Sequence, residues 1–227
     1  MKFFHDLIAI GVGILVLVAM SLEAMTGTDF ESAVYSIEQM KTLISKNIIS
    51  DAKLRDIAAK DKESFLKEKE TNRKFHAAIS AYMDFELLAE LSMPKKWQEK
   101  YWTSSREKKK FLGHLQSLVE EIVYPRGKDF FESVTVSYKP EGGVSNQKLS
   151  VLSKVLFKDK KDKSVEIHYR LTKRNGRWKV FDVNLEGDWW SESFKSQFNH
   201  IITTESYESL LGRMEKKLSN VKQGLSL

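Results

Sequence analysis

The sequence predicts an α+β domain in which N-terminal and C-terminal helices pack on one face of a curled four-stranded antiparallel sheet. Three observations carry that expectation. Val165, Ile167, Tyr169 and Leu171 alternate with Glu166, His168, Arg170 and Thr172, the period of a strand with one buried face. Asn175-Gly176 follows between two strand-like runs, and two residues that tolerate positive φ in that position mark a tight hairpin. Upstream, Phe111, Leu112, Leu115, Leu118, Val119, Ile122 and Val123 recur at helical spacing and form one continuous stripe.

The elements follow in order. Thr28 and Glu31 have capping-box spacing at the start of a first helix, and Phe30, Val34, Ile37, Ile44 and Ile48 supply its apolar face. Residues 52–67 favour a second, charged and more exposed helix. Residues 75–91 form a third helical region that Asp84 divides by capping a new start. Pro94 interrupts the pattern, Ser104 and Glu107 cap the long striped helix, and Pro125 with Gly127 ends it. Strands are expected over 130–139, 149–159, 164–172 and 178–186, joined by Glu141-Gly142-Gly143, a lysine-rich turn and Asn175-Gly176. Connections that short make the sheet antiparallel. Residues 191–201 and 206–221 return to helix, the latter with Leu210, Leu211, Met214 and Leu218 on one side.

A chain of 227 residues with 41% hydrophobic residues supports one good core. Residues 7–20 are uncharged and mostly apolar, preceded by Lys2 and followed by small residues, which fits a signal peptide over 1–24 and a single domain over 25–227. A spanning helix needs about 20 apolar residues, so the competing expectation is an inner-membrane anchor over residues 7–22. The absence of cysteine excludes a disulfide frame, a thiolate metal site and a lipidated cysteine. A net charge of +6 suits anionic headgroups, an acidic partner or nucleic acid, and export argues against nucleic acid.

Catalytic motifs find little support. His5, His76, His114, His168 and His200 lie far apart, with no pair at metal-ligand spacing. Ser-x-x-Lys begins at Ser64, Ser92, Ser105 and Ser219, a recurrence that signals chance, and the companion Ser-Asp-Asn and Lys-Thr-Gly motifs are missing. Asp84 and Glu86 would point to different faces of a helix. Asp182 reads as a hydrogen-bonding residue on the outer face of the last strand, and the expectation is a protein that is not an enzyme and carries no metal or cofactor.

The C-terminal third carries a family resemblance. Tyr169 to Leu171, Lys173, Arg174, Gly176, Trp178 to Val180, Asp182, Val183, Glu186, Gly187 and Ser196 to Phe198 resemble the MlaC-type periplasmic phospholipid-binding proteins, also called the toluene-tolerance family. Asp84-Phe85, Leu87 to Ala89, Trp97 and Phe111 extend the likeness upstream. Two departures stand after Glu-Gly: Asp188, Trp189 and Trp190 replace small or aliphatic residues, and Phe194-Lys195 replaces a Tyr-Arg pair.

The periodicity does not distinguish apolar faces that close as a core from faces held apart around a cavity, and pattern alone favours the core. The resemblance implies the second arrangement: an enclosed apolar pocket that takes phospholipid tails as cargo. Candidate lining residues are Phe85, Leu88, Leu115, Val119, Val151, Val155, Ile167, Tyr169, Phe181 and Val183, with Trp189 and Trp190 at the mouth. It further implies a monomeric periplasmic shuttle serving outer-membrane lipid asymmetry. Its partners would be phospholipid, the MCE-type subunit of an inner-membrane ABC transporter and an outer-membrane lipoprotein complex. An inner-membrane-anchored interaction module with a closed core is the alternative.

Overall fold

A computed structural model describes residues 27–132, 134–145, 147–158, 164–185 and 187–225. The expected signal peptide or anchor lies outside these residues. Among them, no helix is long and apolar enough to cross a membrane.

The helices form in the expected regions, with informative differences. Helix α1 (Gly27–Asn47) is already helical at Gly27, so Thr28 lies within its first turn; Ala33, Ile37, Met40 and Ile44 are its buried stripe. Helix α2 (Asp51–Ala58) is capped by Ser50, and α3 (Lys62–Ser80) by Asp61. The chain therefore breaks near residue 60, where one helix was expected over 52–67, and α3 runs through the expected gap before residue 75. Asp84 caps α4 (Phe85–Ser92) by accepting from the Leu87 amide at 3.0 Å, and Pro94 precedes the short α5 (Lys95–Tyr101). Ser104 caps α6 (Ser105–Leu118), which continues through a π-helical turn (Val119–Val123) into α7 (Tyr124–Phe131).

Pro125 thus starts a helix where the sequence suggested a stop. Proline is tolerated in a first turn, where its missing N–H costs least. The carbonyl of Glu121, which a regular helix would pair with an amide at position 125, instead has the Lys69 ammonium 3.4 Å away. The first strand consequently begins at Val134 and not at residue 130.

Among the described residues the sheet has five strands and not four, in the order β1 (Val134–Ser145), β2 (Lys148–Phe157), β3 (Ser164–Arg174), β4 (Arg177–Leu185) and β5 (Asp188–Trp189). Every neighbouring pair is antiparallel, and the sheet does not close on itself. Asn175 and Gly176 adopt φ values of 52° and 77° in the two-residue β3–β4 turn, as that dipeptide requires. Glu141-Gly142-Gly143 is a bulged continuation of β1, whose pairing with β2 resumes at Gly143 opposite Leu149 and, after a second irregularity, at Ser145 opposite Lys148. In β4 a bulge makes Phe181 the extra residue between Val180, opposite Leu171, and Asp182, opposite Arg170.

Helices α1, α4 and α8 (Trp190–Thr204) pack on the sheet, and α6 and α9 (Tyr207–Gln223) stack behind them. Residues 82–84 close part of the β4 edge: the Val180 amide donates to the Tyr82 carbonyl and the Asp84 amide to the Val180 carbonyl, each at 2.8 Å. A continuous core runs between the layers from Ile37 and Leu88 through Phe111, Val151 and Leu171 to Phe198 and Leu210.

Candidate functional site

The layers do not meet everywhere. Between α1, the π turn and α7 on one side and β3–β4 on the other lies an apolar cavity of about 180 Å³. Its deep wall consists of Met40 and Ile44 from α1, Met83, then Val119, Ile122 and Tyr124 across the π turn, with Ile167, Tyr169 and Val183 on the sheet, all buried. Val123, Arg126, Gly127, Phe130 and Phe131 on one edge, and Leu185 with Trp190 on the other, are only half buried. These two edges form a rim, so the cavity opens to solvent and is not enclosed as expected.

The wall is built from ordinary strand and helix geometry. Cross-strand partners share a face, so Tyr169 opposite Val183 and Ile167 opposite Leu185 set four side chains side by side on the inner face of the sheet. Facing them, Val123 at the end of the π turn and Gly127, Phe130 and Phe131 on α7 recur at helical spacing. Behind the wall, polar groups of Tyr124, Ser80, Glu120 and Gln116 form a hydrogen-bonded cluster. The Tyr124 hydroxyl lies 2.9 Å from Ser80 Oγ, which donates to Glu120 at 2.7 Å, and Gln116 donates to Glu120 at 2.8 Å. Burial pushes the Tyr124 and Tyr169 phenols well above their ordinary range, so both stay neutral.

Beyond Glu120, the Glu121 carboxylate meets Lys69 and accepts from Arg73 Nε at 2.9 Å. Burial opposes its charge, but the two cations prevail and hold its pKa below the usual carboxylate value.

Of the residues predicted from sequence, Val119, Ile167, Tyr169, Val183 and Trp190 line this cavity. Phe85, Leu88, Leu115, Val151 and Val155 belong to the closed core around it. Phe181 is buried apart from that core, with Lys148 Nζ 5.7 Å from its ring centroid. Trp189 is not at the mouth. It lies on the outer face of the sheet, with Arg170 Cζ 3.6 Å from its ring centroid and the His168 ring at 6.5 Å.

The two tryptophans part because Asp182 pins the start of α8 between them. Its carboxylate accepts from the Ser191 amide at 3.0 Å and hydroxyl at 2.5 Å, and from the Val183 amide at 3.1 Å. Burial raises the Asp182 pKa against the pull of those donors. The residue is fully buried, a structural anchor beneath the outer-face tryptophan.

Sequence reasoning missed the α7 contribution, because Pro125 and Gly127 read as a helix end, and it missed Met40 and Met83. Ile44, Ile122 and Leu185 were visible as members of apolar faces, but nothing local told them apart from core. Among the described lining residues there is no carboxylate, imidazole or thiol, and Arg126 is the one formally charged side chain. Such a surface excludes water and accepts hydrocarbon; it offers no paired acid and base. Among the described residues, no group of three or more His, Cys, Asp or Glu side chains has metal-site geometry.

Helices over an open, curled sheet with an apolar cleft between them define an α+β protein of the hydrophobic-pocket class. The chain belongs to the MlaC protein family, whose sequence profile matches residues 48–216. In three dimensions it is similar to the phospholipid-binding protein from Ralstonia solanacearum, solved in complex with a phospholipid. The TM-score is 0.60 and the identity 20%, over 85% of this chain and 97% of that one. No curated protein matches the chain in sequence.

Proposed function

We propose that the protein binds phospholipid by its acyl chains in the α1–α7/β3–β4 cleft and ferries it across the periplasm. The observation that carries this reading is the lining itself: a cavity walled by hydrocarbon, with a half-exposed rim through which a ligand enters. Family membership and the phospholipid bound to the Ralstonia solanacearum protein support it.

A diacyl phospholipid carries roughly thirty methylenes, and at ~0.8 kcal/mol each their exposure costs on the order of 20 kcal/mol, so such a lipid does not cross water unaided. Apolar burial without directional bonds replaces bilayer contact and still permits release. Ligand pockets commonly measure about 300–1,000 Å³, so the cavity of about 180 Å³ widens on loading. Helix α7 is the element that moves. It packs on α1, α2 and the π turn and faces the sheet across the cavity.

In this reading residues 1–24 are an export signal, residues 25–227 the mature carrier, and catalysis plays no part. The donor and acceptor are an inner-membrane ABC complex with an MCE-type subunit and an outer-membrane lipoprotein complex. Native mass spectrometry of the exported protein, purified without detergent, tests the central point. Adducts with phospholipid masses are expected; protein that stays empty after incubation with phospholipid vesicles overturns the proposal.

A further inference from the structure

We infer that Arg126 is the anion anchor at the rim of the cavity, gripping the phosphodiester of the bound lipid while the acyl chains fill the apolar interior. The inference rests on the carrier reading above and deepens it. Arg126 is the sole formally charged residue among the described lining residues, and it sits on the half-buried α7 edge, its side chain 26% exposed. Its ion-pair partner is Asp51, reached by Nε at 3.5 Å. The same Asp51 oxygen is already held by Arg55 Nη2 at 2.6 Å, so the buried carboxylate keeps a close cation when Arg126 turns away.

Burial and the Arg126 guanidinium lower the pKa of Lys217 on α9, with Asp51 opposing. Asp129, the other nearby carboxylate, accepts from the Ala52 amide at 3.2 Å. Arg55 and Arg126 therefore share one carboxylate, Asp51. A guanidinium presents a fork of donors that matches two phosphate oxygens, and a hydrogen-bonded charge pair at a half-dry rim is stronger than one in open water.

The test compares three ligands on the whole exported protein: phosphatidylglycerol, diacylglycerol with the same acyl chains, and soluble glycerol 3-phosphate. Wild-type protein is expected to hold phosphatidylglycerol about tenfold more tightly than diacylglycerol and to leave glycerol 3-phosphate unbound. In Arg126→Gln the preference falls to near parity, and Arg126→Lys, which keeps the charge without the fork, lies between.

Wild-type protein that holds both lipids equally overturns the anchor and leaves the carrier intact. An unchanged preference in both variants does the same. Glycerol 3-phosphate bound as tightly as the lipid would show a site for soluble anions, against the inference. Wild-type protein that takes up neither lipid overturns the carrier reading and this inference with it. The wild-type comparison needs no variant to fold.

Discussion

Lys69 of α3 and Glu121 of the π turn are ion-paired inside the helical layer, their side chains 1% and 5% exposed. The same ammonium also reaches the Glu121 backbone carbonyl, so one side chain serves both the charge and the helix that proline interrupts.

Removing Lys69 leaves the buried Glu121 carboxylate with the part-exposed Arg73 as its remaining counter-charge. Lys69→Met is therefore expected to destabilise the fold by about 3 kcal/mol, the low end for breaking a buried pair, read as a lowered urea midpoint. The double variant Lys69→Met/Glu121→Leu should recover much of that loss, because no charge is then stranded. Equal stability of single and double variants would show that the pair is not coupled.

Acid should act through the same carboxylate. The folded Glu121 pKa lies below its ordinary 4.5, so the pair's contribution is complete above about 4.5 and is lost as pH falls through the folded value. Asp182 works in the opposite sense: its raised pKa favours the protonated native form, so its contribution declines as pH rises through that value. Melting temperature measured from pH 6 down to 3 is expected to fall, and Glu121→Gln should flatten that limb. A limb as steep in the variant would remove Glu121 from the explanation.

Trp189 and Trp190 offer a contrast between neighbours. Trp190→Ala takes indole surface from the cavity rim and should weaken lipid binding about tenfold with a modest change in stability. Trp189→Ala removes the Arg170 stacking on the outer face, costing about 0.5–1 kcal/mol and leaving lipid binding untouched. Lipid titration of the two variants, with thermal melts alongside, distinguishes the faces; the reverse pattern would place the ligand on the outer side of the sheet.

Gly224 ends α9 at φ 73°, with the Leu225 amide returning to the Asn220 carbonyl at 2.9 Å. A Cβ there would come within 3.2 Å of the Ala58 Cβ and 3.3 Å of the Phe65 ring. Gly224→Ala is expected to cost about 1 kcal/mol or more, measured by chemical denaturation. A neutral result would mean that the α2–α3 corner yields.

What the sequence made legible was local. Asn175-Gly176 announces its turn because two residues suffice to specify the backbone, and the β3 alternation assigns Ile167 and Tyr169 to the inner face without reference to anything distant. Helix α3 was misread because its buried stripe includes Lys69, Asn72 and His76, polar residues whose neighbours Glu121, Ile49 and Glu120 come from other elements of the fold. Which apolar residues face the cavity was not legible, since Val151 and Val183 share a face of one sheet and differ only in whether a helix reaches them. Arg126 was invisible as a rim residue for the same reason as all of α7, whose proline and glycine mimic a stop.

The Lys69 contact to the Glu121 carbonyl ties two positions far apart in the chain to a common history. A descendant that gains an amide at position 125 would release Lys69 from its backbone task, and the ammonium would then be retained for the carboxylate alone. One that loses Lys69 first would leave the carboxylate to Arg73 and the carbonyl without its ammonium. Substitution is thereby given a direction, with the proline free to change before the lysine does.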